Sequence, residues 1–258
     1  MSNLDSKKLT LGLVSDKKYL KHVFNLLRSL DFHHNSVRVS ICLLNIPNPD
    51  LVSNKIKSIY KNIELSFFDY EQQYSQKETK ALAANHRVFF VNDLLERGYQ
   101  KIFYLDCDSI VRGDIVNEIS KLENSDISII FRHFADERSK VAAGAILFRN
   151  NPATKEFIAE WEKKIEPIKN CWFSDQITFY ETYLEKNNTV SFSNLAPEMN
   201  DWTFKDTSII WSGKGDRKKE NLIYLLELLS YNFKSPIIRA CVLKIQELLR
   251  KFNLYQEI

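Results

Sequence analysis

Short apolar runs alternate with amphipathic stretches along most of this chain. Residues 9–14, 37–44 and 63–68 are runs of aliphatic and aromatic side chains of strand length. The first run ends at Asp16, a good helix N-cap, after which apolar residues recur at helical spacing as far as Leu30. A strand, a polar turn and a helix in this order predict an α/β domain, in which ligands lie where strands end and helices begin.

The central apolar run predicts the strand on which the candidate chemistry depends. Residues 101–111 read KIFYLDCDSIV, so a buried strand leads into two carboxylates separated by one residue. On an extended backbone alternate side chains share a face, and Asp106 and Asp108 are therefore expected to project together. Two hard anionic oxygen ligands suit Mg²⁺ or Mn²⁺. The pattern predicts a divalent-cation site at the end of this strand.

The remaining pattern completes an α/β arrangement. Ser75 and Glu78 have the spacing of a capping box, and one long helix is predicted from about 79 to 97, ended by Gly98. Further strands are predicted at 126–131, 143–148, 189–192 and 209–211, with helices at 152–165 and after Ser174, its expected cap. Two amphipathic helices follow residue 220. These patterns predict a main domain over residues 1–219 and a helical extension over residues 220–258.

Composition and charge narrow the class of protein. The chain is 44% hydrophobic and 27% charged with a net charge of +3, ordinary values for a globular protein. No basic run is interleaved with aromatic residues, which argues against a nucleic-acid partner. Four scattered cysteines, a polar N-terminus and the lack of a long apolar segment favour a cytoplasmic protein in a reducing compartment.

The order of the motifs resembles a known family. Tyr104-Leu105-Asp106-Cys107-Asp108 matches the metal motif of glycosyltransferases of the GT-A fold, closest to family 8, which includes bacterial lipopolysaccharide galactosyltransferases and glycogenin. The resemblance covers roughly residues 9–216. Near its start, Asp16-Lys17-Lys18-Tyr19 matches a turn that binds uracil and ribose, and His86-Arg87-Val88 matches a helical Arg motif. Later in the chain, residues 143–147 match a Gly-containing strand, Ser174-Asp175-Gln176 matches an Asp-Gln motif, and residues 211–215 match a segment that binds metal and diphosphate.

The resemblance implies a fold, a reaction and a site. The fold would be a Rossmann-like α/β/α domain with a mostly parallel sheet, and the reaction would be sugar transfer from a nucleotide-sugar, most simply a UDP-sugar, with retained anomeric configuration. Mn²⁺ or Mg²⁺ would be held by Asp106 and Asp108. Donor-binding residues would be Asp16, Tyr19, Arg87, Asp106 and Lys214, and Asp175 and Gln176 would lie at the reacting sugar as catalytic residues.

Two positions depart from the family pattern. The third metal ligand of the family is a His, and Ser212 stands there in this chain; a hydroxyl is a poorer ligand, so water would complete the coordination shell. The family's Asn before the Gly-containing strand corresponds to about Ala142, which removes a polar contact to donor or acceptor sugar. The donor sugar is therefore expected to differ from galactose or glucose.

Simpler interpretations accompany these residues. Asp16 could be only an N-cap, Asp175 and Gln176 could be favourable first-turn helix residues, and the Lys214 segment could be a solvated loop, the interpretation adopted for Lys218 and Lys219. An Asp-x-Asp phosphatase is disfavoured, because such a motif normally lies near the N-terminus. A sugar-nucleotide-binding scaffold without turnover and a sugar nucleotidyltransferase remain alternatives.

The extension suggests a partner. Residues Ile238, Cys241, Val242, Ile245, Leu249 and Phe252 form an apolar stripe by helical spacing. From Lys214 onward there are nine Lys/Arg and five Asp/Glu, a surplus of +4. The stripe is expected to pack on the domain, to form a homodimer contact, or to bring the protein peripherally to the inner membrane face near a glycan or glycolipid acceptor used in surface polysaccharide synthesis.

Overall fold

A seven-stranded sheet organises the molecule. The computed structural model describes residues 9–72, 74–122, 124–132, 135–213, 215, 217–233 and 235–251. The strand order is β3-β2-β1-β4-β7-β6-β8, and β3, β2, β1 and β4 run parallel. The strands are β1 (Thr10–Asp16), β2 (Arg38–Leu44), β3 (Ile63–Phe68), β4 (Lys101–Leu105), β6 (Ile127–Phe131), β7 (Val141–Arg149) and β8 (Phe192–Asn194).

Helices cover both faces of this sheet. The helices that precede the C-terminal region are α1 (Leu20–Phe32), α2 (Pro49–Ile59), α3 (Gln76–Asn85), α4 (Arg87–Glu96), α5 (Ile115–Ser120), α6 (Pro152–Ile165) and α7 (Ser174–Lys186). Two large clusters of buried apolar residues result. One contains Leu26 of α1 and Leu43 of β2, and the other contains Leu94 of α4 and Trp161 of α6. The predicted α/β class with a mostly parallel sheet is confirmed.

Residues 101–111 do not form one continuous strand. The central strand ends at Leu105, and a turn closed by the Ser109 N–H donating to the Asp106 carbonyl separates it from β5 (Ser109–Val111). The strand β5 pairs antiparallel with β9 (Ile210–Ser212) in a separate two-stranded sheet. The two aspartates therefore lie in a turn and not on an extended strand, although both side chains still face the same cavity.

The predicted long helix over 79–97 is also two helices. The capping box at Ser75 is present, but α3 ends at Asn85 and α4 begins at Arg87. The Arg87 side chain donates from Nε to the Ala84 carbonyl at 2.7 Å, and an unbroken helix would give that carbonyl to the Val88 N–H. Arg87, the first residue after the break, is buried.

Three C-terminal helices pack against the small sheet. These are α8 (Arg217–Glu220), α9 (Leu222–Ser230) and α10 (Pro236–Lys251). Trp211 of β9 is fully buried beneath Ile223 and Tyr224 of α9 and Tyr231. In the part of the chain that the structure describes, no helix is long and apolar enough to cross a bilayer.

The stripe on the last helix divides between two surfaces. Val242 packs inward, whereas Ile238, Cys241 and Ile245 are exposed. Arg239 and Arg250 lie over the rings of Phe32 and Trp211. Phe252 lies outside the described residues. The C-terminal helix therefore uses one face for the domain and presents a second apolar face to its surroundings.

Candidate functional site

A cleft opens where β1 and β4 end. Its volume is about 620 Å³. The residues expected to bind a donor, a metal or the reacting sugar meet there: Asp16, Tyr19, Arg87, Asp106, Asp108, Asp175, Gln176 and Ser212 all line the cleft. These residues are far apart in the sequence, where only the order of their motifs relates them. The fold brings them to one cleft.

Arg87 lies at the centre of one ion-paired cluster. Its Nη2 is 3.2 Å from Oδ1 of Asp106, and its Nε is 3.2 Å from Oδ2 of Asp175. The guanidinium also donates through Nη1 to the Ala143 carbonyl and lies 4.9 Å from the Tyr104 ring centre. Burial opposes the charge of Arg87, but the carboxylates and the ring outweigh that cost and raise its pKa. Arg87 thus holds two acidic groups at the inner wall of the cleft.

Asp175 belongs to this cluster rather than to a helix surface. Its side chain is buried, which raises the pKa of the carboxyl, and Arg87 opposes that rise. The helix α7 begins at Ser174 itself, so Ser174 is not its cap; its hydroxyl donates to the carbonyls of Ile168 and Cys171. Gln176, the next residue after Asp175, is half-buried and lines the cleft.

Asp108 has a different cationic partner. Nζ of Lys218 donates to Oδ2 of Asp108 at 2.6 Å, and both side chains are mostly buried. The Gly213 N–H donates to the Asp108 carbonyl at 3.1 Å, and a Cβ at Gly213 would collide with that oxygen. A glycine is therefore required at this position for β9 to approach the turn that carries Asp108.

Lys218 is a cleft residue that the sequence did not identify. Its ammonium lies 5.3 Å from the ring centre of Tyr19 and lines the same cavity, so the interpretation of Lys218 as part of a solvated loop is wrong. No pattern in the sequence distinguishes Lys218 from Lys219; Lys218 belongs to the short helix α8, whose position is a property of the folded chain. Lys214, the expected phosphate-binding residue, lies outside the described residues.

The turn after β1 forms the opposite wall. The carboxylate of Asp16 accepts the Tyr19 N–H at 3.0 Å, so Asp16 is a cap as well as a cleft residue. Burial and the charge of Asp108 raise the pKa of Tyr19 to about 12. Burial, followed by Lys218 and Lys21, lowers the pKa of His22 to about 4. Both side chains are therefore neutral near pH 7, and Tyr19 retains its proton as a hydrogen-bond donor.

Asn200 supplies a side-chain amide close to Ala142, the position at which the family has an Asn. Nδ2 of Asn200 donates to the Ala142 carbonyl at 3.3 Å, and the Asn200 side chain lines the cleft. A Cβ at Gly144 would come within 3.0 Å of Asp106 Oδ2 and 3.3 Å of the Asn200 amide. Asn200 follows a loop far from residue 142 in sequence, so only the fold could reveal it.

The oxygen donors suit a hard cation that is shared with substrate. Among the described residues, no group of three or more His, Cys, Asp and Glu side chains is arranged to hold a metal ion. Two carboxylates and the buried Ser212 hydroxyl do line one cleft. Mg²⁺ commonly binds through one or two carboxylates together with waters and substrate phosphates, and this donor set fits that pattern.

The chain belongs to the nucleotide-diphospho-sugar transferase family. The model of that family matches residues 51–204, more than half of the chain, which includes Arg87, Asp106, Asp108, Asp175 and Gln176. The predicted membership in a glycosyltransferase family is confirmed. No curated protein matches the chain by sequence.

Solved structures of glycosyltransferases share this fold. The chain superposes on the bifunctional glycosyltransferase WbbM with a TM-score of 0.60 at 16% identity, covering 92% of this chain and 51% of WbbM. It superposes on GlyE of Streptococcus pneumoniae TIGR4 with a TM-score of 0.61 at 16% identity, covering 96% of this chain and 64% of GlyE. The corresponding values for the galactosyltransferase LgtC, solved with donor and acceptor sugar analogues, are 0.55, 15%, 90% and 99%.

The chain is thus similar to these proteins in fold. It spans about half the length of WbbM and just under two thirds of GlyE. The expected GT-A fold is confirmed.

Proposed function

We propose that this protein transfers a sugar from a nucleotide-sugar donor, a UDP-sugar in the simplest case, to a glycan or glycolipid acceptor in the synthesis of bacterial surface glycoconjugates. The supporting observation is the cleft itself, in which the ion-paired groups Arg87, Lys218, Asp106, Asp108 and Asp175 converge where parallel strands end. Such a site can bind a diphosphate and stabilise the charge that develops on it.

A divalent cation, Mn²⁺ or Mg²⁺, would be held by Asp106 and Asp108, with the Ser212 hydroxyl beside them. When bound, it would supply positive charge to the diphosphate leaving group. Lys218 would provide a second charge for the diphosphate, and Arg87 would hold the Asp106 carboxylate in place. Asp16 and Tyr19 are suited to hydrogen bonds with the base and ribose.

The reaction would proceed with retention of anomeric configuration. The acceptor oxygen bonds to the anomeric carbon while the bond from that carbon to the diphosphate oxygen breaks. The electron pair passes to the diphosphate, and the acceptor proton passes to a leaving-group oxygen. Asp175 is buried in its pair with Arg87, so it acts by positioning Arg87 and Gln176. Gln176 would contact the sugar in the transition state.

The donor site can be tested by thermal unfolding with UDP and Mn²⁺. A ligand at a hundred times its dissociation constant stabilises the folded protein by about 2.7 kcal/mol. We expect the wild type and Asp31→Asn, an exposed site at the C-terminal end of α1 that does not line the cleft, to gain thermal stability with UDP and Mn²⁺ together. Asp106→Asn and Asp108→Asn are expected to lose the Mn²⁺-dependent part. An unchanged response in both cleft variants would contradict the metal assignment, and no response in the wild type would contradict the donor site.

A scaffold that binds a nucleotide-sugar without turnover is the second candidate. Its support is that Asp106 and Asp108 each already form an ion pair, with Arg87 and Lys218. Sugar release from a panel of UDP-, GDP- and CMP-sugars with Mn²⁺ separates the two functions. Donor binding without sugar release would favour the scaffold.

We also propose peripheral membrane contact through the exposed apolar face of α10. Ile237, Ile238, Ile245 and Leu248 lie within one arc of that helix and are 44–76% exposed. The surplus of +4 from Lys214 onward favours an anionic surface. Sedimentation with vesicles containing anionic lipid is expected to pellet the wild type, but not Ile237→Ser/Ile245→Ser. The control is Leu184→Ser, an exposed site on α7. A dimer in solution that this double variant dissociates would instead indicate a homodimer contact.

A further inference from the structure

Two of the four tryptophans of the chain lie exposed at the cleft. Trp161 and Trp211 are fully buried, whereas Trp172 is 47% and Trp202 is 37% exposed. Both exposed indoles line the cleft that contains Asp106, Asp108 and Gln176. Tryptophan is enriched at binding surfaces, where its apolar ring and its polar N–H can both be used.

Each exposed indole is held on a rigid loop. The loop before Trp172 is tied to α3 by Asn85, whose Nδ2 donates to the carbonyls of Lys169 and Cys171 at 2.6 and 2.9 Å. On Trp172 itself, Lys80 Nζ lies 4.2 Å from the ring centre and Phe173 packs edge-on. The orientation of this ring is thus fixed on two sides while nearly half of it remains open.

Trp202 is positioned by the residue before it. The Asp201 carboxylate accepts hydrogen bonds from the Thr203 and Lys205 N–H groups and from the Ser208 hydroxyl. The Asp201 backbone pairs with β9 through the Ile210 carbonyl and the Ser212 N–H. The Trp202 loop is therefore fixed to the same strand that brings Ser212 to the cleft.

The backbone is strained beside both indoles. Phe173 has φ = 70° and Phe204 has φ = 61°, values that bulky residues with a Cβ rarely adopt. The other non-glycine residues with positive φ among those described are His34 and Asn45, which tolerate this conformation better. Strain of this kind persists where surrounding contacts impose it, and it concentrates at ligand-binding positions.

The groups near the indoles match the two chemical faces of a sugar. A pyranose ring presents polarised C–H bonds, which pack on the electron-rich face of an aromatic ring, and hydroxyls that need both donors and acceptors. The side-chain amides of Gln176 and Asn200, which line the same cleft, each supply a donor and an acceptor. Neither a lipid chain nor a phosphate would use this combination fully.

We propose that Trp172 and Trp202 form the acceptor subsite and that the acceptor end which enters it is a pyranose ring packed against the indoles. The assignment rests on the proposed transferase function, because it takes the remainder of the cleft as the donor site. It assigns two side chains, Trp172 and Trp202, to the saccharide end of that acceptor, whether the saccharide is free or carried on a lipid.

The four tryptophans make a direct test possible. In protein labelled with 5-fluorotryptophan, each indole gives its own ¹⁹F resonance, assigned with Trp172→Phe and Trp202→Phe. A panel of hexose disaccharides of different linkage is titrated into the protein alone and into protein saturated with UDP and Mn²⁺. We expect the Trp172 and Trp202 resonances to shift, with those of the buried Trp161 and Trp211 as internal controls. A panel that moves neither exposed indole in either sample overturns the proposal.

Alanine variants separate this subsite from the donor site. Trp172→Ala and Trp202→Ala are expected to weaken disaccharide binding about ten-fold or more while UDP affinity stays near the wild-type value. Unchanged disaccharide affinity in both variants would overturn the acceptor assignment and leave the donor site intact. Failure of UDP to bind the wild type would contradict the proposed function, and the titration of protein alone would still decide the role of the indoles.

Discussion

At the scale of single residues, the sequence identified the acidic groups of the cleft better than the cations. The motifs predict Asp106, Asp108 and Asp175 as site residues, and all three line the cleft, as does Arg87. The sequence does not predict Lys218, because three lysines follow Gly213 within six residues and spacing alone does not show which of them turns inward. Its selection depends on α8 and on the close approach at Gly213, and both are properties of the folded chain.

Lys218→Met tests the role of that cation. Loss of a charged contact to phosphate costs about 1.5–3 kcal/mol, so UDP affinity is expected to fall about ten- to a hundred-fold. Mn²⁺ affinity should not fall, because Asp108 loses its competing partner. Isothermal titration of each ligand measures both effects, and Lys163→Met, whose parent side chain is 78% exposed, is the matched control. A variant that binds UDP as the wild type does would remove Lys218 from the diphosphate site.

At the scale of elements, most strands and helices followed from hydrophobic periodicity, and β3 matched its predicted bounds. The strand predicted at 189–192 is displaced, because β8 begins only at Phe192 and runs to Asn194. Two further failures have tertiary causes. The apolar pattern over 79–97 is continuous, but the bonds of the Arg87 side chain to Ala84, Ala143 and two carboxylates replace helix continuity at His86. The pattern over 101–111 is also continuous, but β5 leaves the main sheet to pair with β9, a partner a hundred residues later. The distant groups that Arg87 bonds and the strand that pairs with β5 cannot be predicted from neighbouring residues in the sequence.

The helix break makes a testable stability prediction. Arg87→Met leaves two acidic groups without their buried cation, and the free energy of unfolding is expected to fall by about 3–5 kcal/mol. Adding Asp175→Asn removes one of the stranded charges, so the double variant should recover part of that loss. Urea unfolding of both variants measures the difference, with the exposed Arg138→Met as control. A double variant less stable than Arg87→Met would show that Arg87 and Asp175 do not stabilise each other.

At the scale of the whole molecule, two of the C-terminal helices hold the turn that carries Asp108. Tyr224 of α9 donates its hydroxyl to the Asp108 carbonyl at 3.1 Å, and Lys218 of α8 contacts the same residue. Farther from the cleft, the buried Glu227 carboxylate pairs with Arg112 and accepts hydrogen bonds from Tyr231 and Gln246. The domain boundary near residue 219, expected from the amphipathic pattern, stays a prediction. The contacts above indicate that residues 1–219 depend on residues 220–258 for stability.

Deletion of residues 220–258 decides that dependence. The deletion uncovers Trp211 and leaves Arg112 without Glu227, so we expect a poorly soluble product with no cooperative thermal transition, whereas the full chain unfolds in one transition. Differential scanning calorimetry of both chains measures this. Replacement of only the exposed Ile237 and Ile245 by Ser is the control, because it changes the outer face of α10 and keeps its packing. A shortened chain that unfolds cooperatively at the temperature of the full chain would establish an independent domain. In that case Asp108 would be held in place without the C-terminal helices, and loss of membrane contact by the shortened chain could be assigned directly to their removal.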